Sequence, residues 1–209
     1  MRASLLTNLS RYDETVSVVQ NALKTFPTST LLKNILSRAL IYKHDYHAAI
    51  DQLLFVASNE QMTPGVAGAL SNVYSLLNDV ENTSKYIKIT LKRLEDAPAK
   101  TKSFKFFTSF KLLDDEIVKN NKLPDEGYLF SLAENEYNSG NCEGAFPYLH
   151  SVLFRNIDNA NVNYMLGTCY KMIDDIQTSA TYLYRYLYLA PDGPHAVEVR
   201  KTLEAFEKD

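Results

Sequence analysis

Leu166-Gly167-Thr168-Cys169-Tyr170, followed by Asp174-Asp175 and then by Pro191, decides how this chain folds. A small residue beside a leucine on an amphipathic stretch lets a second helix approach closely. Two aspartates suit a turn and the opening of the next helix, and a proline ends it. From Ala160 to Gly193 this makes a helix hairpin of 34 residues. Moving back by 34 positions, Leu166 falls on Leu132, Gly167 on Ala133 and the turn on Asn138-Ser139-Gly140-Asn141. Ala145 and Leu149 then stand where the later hairpin has Ser179 and Leu183. A recurrence of this length marks a repeat architecture, in which each unit buries its apolar face only against its neighbours.

Extended along the chain, the period divides it into a partial repeat at 1–29 and repeats at 30–63 and 64–97. A degenerate, shortened hairpin or one longer helix follows at 98–125, then repeats at 126–159 and 160–193, and a capping helix at 194–209. In the first unit Ser10 suits a cap, Asp13-Glu14 suit a first helical turn, and Pro27 occupies the slot that Pro191 occupies in the last. By this register the chain begins part-way through a repeat. Pro64 suits the first turn of a helix, because its missing N–H has no partner to lose there. In the terminal helix Val197, Val199, Leu203 and Phe206 are expected to face the array, with Glu198, Arg200, Lys201, Glu204, Glu207 and Lys208 outward.

Composition agrees with a helical solenoid. Only 7 Gly and 7 Pro in 209 residues leave little room for long irregular loops, and 45% hydrophobic residues suffice for a sizeable core. A net charge of −3 gives no broad basic field, which argues against nucleic acid as the main partner. No apolar run is long enough to span a bilayer and no signal pattern opens the chain, so it is read as cytoplasmic, with removal of an export signal from a longer precursor as the alternative. Cys142 and Cys169 have neither C-x-x-C nor Cys/His spacing and are expected to be free, reduced thiols.

The run Asp45-Tyr46-x-x-Ala49-Ile50, together with the 34-residue recurrence and the Leu-Gly-x-x-Tyr spacing, resembles the tetratricopeptide repeat family over most of the chain. Departures are the lack of Trp, few glycines at the small-residue slot and the short middle segment. The resemblance implies an all-α fold: a right-handed α-solenoid of stacked antiparallel helix hairpins closed by a C-terminal solvating helix. It also implies that first helices line a concave groove. Carried onto this sequence, the groove positions include Asn34, Arg38 and Tyr42 in the second unit, Gly68 and Asn72 in the third, then Phe130, Glu134 and Tyr137, and finally Tyr164 and Lys171. Such an aromatic and amide-bearing surface suits an extended or helical peptide. Some members hold acidic chaperone tails in a clamp of lysine and arginine; here Gly68 stands where a clamp lysine is expected, and that reading is not carried over.

The expected function is therefore a protein-interaction module, acting as adaptor, scaffold or dedicated chaperone. A structural segment of a longer repeat protein that self-associates through Tyr182, Tyr184 and Tyr188 is the alternative, and a regulatory domain of an absent enzyme is a third reading. The i,i+4 pairs Tyr182/Tyr186 and Tyr184/Tyr188 form two ladders, one expected in the repeat seam and one across the surface. His44 and His47 are one turn apart, but turn and helix-start polarity accounts for them better than a metal. Phe104, Phe106, Phe107 and Phe110 interleaved with Lys102, Lys105 and Lys111 read as a core face with solvated lysines rather than a nucleic-acid or membrane patch. No G-x-S-x-G, phosphate-cradling loop or H-E-x-x-H is present, so no catalytic residue, cofactor or metal is assigned.

Overall fold

Five helix pairs turn on one recurring piece of backbone chemistry. Ser10, His44, Asn78, Gly140 and Asp174 adopt left-handed φ angles of 58°, 61°, 59°, 79° and 62°. Those before residue 97 are 34 residues apart, as are the last two, and only Gly140 reaches this conformation without a Cβ penalty. Next in sequence, the backbone N–H groups of Arg11, Asp45, Asp79, Asn141 and Asp175 donate to the carbonyls of Leu6, Leu40, Tyr74, Glu136 and Tyr170 at 2.8–3.0 Å. This bond satisfies a carbonyl that the first helix would otherwise leave unpaired. In four of the five turns the same residue then caps the second helix. Asp45, Asp79, Asn141 and Asp175 accept from the backbone N–H of Ala48, Asn82, Gly144 and Thr178. Ser10, expected as a cap, is instead the left-handed residue, and Arg11 offers no side-chain cap.

The computed structural model describes residues 2–59, 62–96 and 104–206. Twelve helices occur among them: α1 (Arg2–Asn8), α2 (Tyr12–Thr25), α3 (Thr30–Tyr42), α4 (Tyr46–Asn59), α5 (Pro64–Leu76), α6 (Val80–Asp96), α7 (Phe104–Asn120), α8 (Glu126–Asn138), α9 (Cys142–Arg155), α10 (Ala160–Met172), α11 (Ile176–Leu189) and α12 (Ala196–Phe206). Parts of the sequence reading fall on residues 97–103 and 207–209 and on the side chains of Leu5, Phe104, Lys105, Phe106 and Phe107, which lie outside the described residues. Ser29, Thr63, Asp125 and Asn159 cap the first helices α3, α5, α8 and α10 through bonds to Leu32, Val66, Tyr128 and Val162.

The repeat is visible in the core as well as in the turns. Ala3, Ser37, Ser71, Ala133 and Gly167 form a buried series of small residues on the first helices, and Thr15, Ala49, Thr83, Ala145 and Ser179 form another on the second. Where these meet, backbones come close: Ser179 Oγ donates to the Gly167 carbonyl at 2.8 Å. Val19, Leu53, Ile87, Leu149 and Leu183 fill the seam between them, each at most 2% exposed. Small residues thus set the hairpin spacing and branched ones fill it, which is why glycine is needed at few of these slots.

Helix α7 interrupts the stack. It packs between α6 and α9, both second helices, and so the hairpin α8–α9 is not laid on α5–α6 in the manner of α5–α6 on α3–α4. The outcome is two arms that face one another. First helices of the N-terminal arm, α1 and α5, meet second helices of the C-terminal arm, α11 and α9.

Two expectations are corrected. Cys142 and Cys169 are bonded as a disulfide, with Cα atoms 5.4 Å apart, and no described cysteine is free. Compartment rules speak to which environments tolerate a bridge, whereas here the first turn of α9 and the C-terminal part of α10 are brought side by side by the stacking of adjacent hairpins. In α12, Val197 points outward at 66% exposed, while Ala196, Val199 and Leu203 make the buried stripe. Among the described residues no helix is long and apolar enough to cross a membrane.

Candidate interaction site

Because the arms face each other through unlike helices, the residues expected to share one groove divide into two groups. Arg38, Tyr42 and Asn72 look across at the C-terminal arm. Phe130, Glu134, Tyr137, Tyr164 and Lys171 belong to the first helices α8 and α10 and border none of the space between the arms. Asn34 is exposed on α3.

Between the arms lie two neighbouring hollows. One of about 750 Å³ is bordered by Asn8, Arg38, Glu143 and Gln177, and one of about 460 Å³ by Gly68, Asn72, Phe110, His150 and Phe154. Tyr42 and Tyr182 border both. Burial pushes the Tyr182 phenol well above its ordinary value, with the neighbouring Tyr170 and Tyr42 adding to the rise. Burial likewise raises Tyr170 to about 12, and its hydroxyl lies 3.0 Å from His150 Nε2. Asn72 Nδ2 donates to the Phe154 carbonyl at 3.4 Å, and Arg155 reaches from the end of α9 to the Ser75 carbonyl at 2.9 Å. Arg155 thereby places a cation at the C-terminus of α5, where the helix dipole favours it. Its partial burial lowers its pKa.

The arms also meet around Arg185. This α11 residue is only 3% exposed and is ion-paired with Asp158. Its guanidinium carbon stands 4.8 Å from the Tyr42 ring, 5.1 Å from Tyr12 and 5.0 Å from Tyr188. Tyr12 and Tyr42 stack at 4.8 Å, and Tyr188 meets Tyr12 edge-on at 5.6 Å. The other oxygen of Asp158 lies 2.8 Å from His44 Nε2. Burial, followed by the adjacent Tyr42, raises Tyr12 to about 12. Arg185, Asp158, Tyr12 and His44 were not singled out as site residues from the sequence. One signal was there: Arg185 is the lone charge in the run Tyr182-Leu-Tyr-Arg-Tyr-Leu-Tyr188.

The second group forms a face of its own. Phe130, Tyr137 and Tyr164 rest half-buried on the C-terminal core, while Glu134 and Lys171 are exposed. Tyr164 is fixed from α12: its ring stacks on His195 at 3.8 Å and its hydroxyl donates to Glu198 at 3.2 Å. Burial first, and then the nearby Tyr137 and Glu198, raise the Tyr164 pKa to about 12. Of the remaining tyrosines of α11, Tyr184 packs partly buried against the core of α11 and α12, and Tyr188 is 58% exposed beside Tyr12.

Repeated hairpins with one turn chemistry at a 34-residue spacing define the architecture. It is tetratricopeptide-like. No family model matches the chain, and no curated protein matches it. Among solved structures it is similar to YrrB, described as a TPR protein with an unusual peptide-binding site, at 14% identity, covering 95% of this chain and 88% of that one, with a TM-score of 0.42. It is also similar to a chain of the APC/C hetero-tetramer Cut9-Hcn1, at 15% identity, 95% of this chain, 34% of that one and a TM-score of 0.47. A third is MamA, at 8% identity, 90% and 88% coverage and a TM-score of 0.43. These likenesses concern the helical architecture and go no further.

Proposed function

We propose that the chain is a protein-interaction module that receives a peptide segment or helix of a partner on the first-helix face of its C-terminal arm. The observation that supports this is the set Phe130, Tyr137 and Tyr164, three aromatic side chains anchored on one core and open on one side. Tyr164 is held by His195 and Glu198, so the face loses little side-chain freedom when a partner binds. Aromatic rings in such fixed positions supply contact area, and Glu134 and Lys171 at the edge supply charge selectivity. In this reading the module is an adaptor, a scaffold or a dedicated chaperone.

The test is capture from a lysate of the source cells with the chain as bait, repeated with Tyr137→Ala and Tyr164→Ala together. A protein retained by the wild type and lost with a double variant of unchanged circular dichroism supports the face. Retention of the same proteins by both baits removes it. Self-association is the second reading, favoured by the exposure of Tyr188. A mass that rises with concentration in light scattering, and that Tyr188→Ala abolishes, would move that reading ahead.

A further inference from the structure

We infer that Arg185 is a releasable clasp that holds the two arms together and, while closed, withholds the N-terminal first-helix face carrying Tyr42 and Asn72 from partners. That the covered face takes partners extends the interaction reading above from the C-terminal arm to the N-terminal one; the clasp itself does not depend on that reading.

Arg185 is buried, yet its hold on the other arm is made of ring faces rather than backbone hydrogen bonds. Its Nη2 is paired with Asp158, a residue of its own arm, while Nε and Nη1 have no acceptor. The opposite arm contributes Tyr12, Tyr42 and His44. A guanidinium between aromatic faces is stabilised by their quadrupoles, and more so when water is excluded. The one N–H of Nε and the two of Nη1 oppose this, because water would satisfy them on opening. The clasp is therefore specific in geometry and modest in net strength. The same balance holds between the arms as a whole. Each has its own apolar core, one around Leu40, Leu53 and Leu70 and the other around Leu129, Leu149 and Leu166, and Ile157 is the C-terminal-arm residue that enters the first of them. The space separating them is hollow for about 750 Å³ and 460 Å³ instead of being filled by side chains. Opening around Arg185 would free Tyr42 from the guanidinium, and full separation would also break the Asn72–Phe154 and Arg155–Ser75 bonds and withdraw Ile157 from the N-terminal core.

Hydrogen exchange read by mass spectrometry, with small-angle scattering, tests this on the full chain with Arg185→Ala, Arg185→Lys and Asp158→Asn. In Arg185→Ala, amides of α2, α3 and α11 should exchange at least about tenfold faster, the radius of gyration should rise, and α8 to α10 should keep their wild-type protection. Hydroxyl-radical labelling of Tyr42 should rise with them. Arg185→Lys, which keeps the charge and loses the planar stack, should fall between. Asp158→Asn leaves the buried cation in place and reads the same opening if Arg185→Ala does not fold. Wild-type exchange and labelling in Arg185→Ala and Asp158→Asn would overturn the clasp. So would acceleration spread equally over α8 to α10, which would make the arms one cooperative core. Failure of the Tyr137/Tyr164 capture experiment bears on the other face and leaves this result standing.

Discussion

At Gly167 a single hydrogen atom in place of a methyl group sets the separation of two helices. A Cβ there would lie 2.5 Å from Leu183 Cδ2 and 2.7 Å from Leu183 Cγ. Leu183 is itself buried, so Gly167→Ala should destabilise the chain by about 1–3 kcal/mol through overpacking, against the helix propensity that alanine adds, as read from thermal unfolding. A neutral result would mean that α11 shifts freely. Tyrosine ionisation is a second effect at this scale. Tyr12, Tyr164 and Tyr170 are each raised to about 12, with burial the largest cause, and such groups keep the folded state fully stable below an unfolded phenol pKa of about 10. Stability should fall as pH climbs from about 10 towards 12. Ultraviolet phenolate absorbance should then show these tyrosines ionising together with unfolding. Ionisation of every tyrosine near pH 10 with the fold intact would contradict this. Tyr42 was expected at a groove from its place in the repeat, and it borders both hollows. Arg185 was not, because helical periodicity assigns a charge in an aromatic run to solvent and carries no information on a distant arm that covers it.

At the scale of the helix hairpin, the turn is the device that repeats. Asp175 both closes α10 through its N–H and opens α11 through its carboxylate, accepting from Thr178 at 3.1 Å. Asp175→Ala keeps the first bond and loses the second, so it should cost about 1 kcal/mol. Asp175→Asn should recover most of it, and equal denaturant midpoints for both variants would show that the cap contributes nothing. Leu149, fully buried in the seam of α8 and α9, should cost about 2–5 kcal/mol when changed to Ala. The recurrence was readable because turn residues, small residues and branched residues each repeat in register. The left-handed residue was harder to place, since Ser10, His44, Asn78 and Asp174 share no side-chain type; what they share is the residue that follows, which in three of the four is an aspartate.

For the molecule as a whole, the sequence supports neighbours and is silent about distant units. Periodicity states which hairpin packs on the next. It does not state how far α7 rotates one arm relative to the other, and that rotation separates Arg38, Tyr42 and Asn72 from Phe130, Tyr137 and Tyr164. The all-helical repeat class was therefore legible, and the division of the expected groove into two faces was not. The disulfide belongs to this scale because it ties two hairpins of one arm. Cys142→Ser with Cys169→Ser should lower stability by about 3–4 kcal/mol, the loop-closure entropy for a separation of 27 residues. Equal unfolding midpoints with and without reductant would show that the bridge adds nothing to stability.

The same bridge gives the chain a fixed mechanical length. Pulled from its ends, the N-terminal hairpins can be drawn out to full extension, whereas the 27-residue separation between Cys142 and Cys169 is spanned by one covalent link. At about 3.5 Å per residue, the oxidised chain stops about 90 Å short of its reduced contour, and a reductant added under load releases that length in a single step.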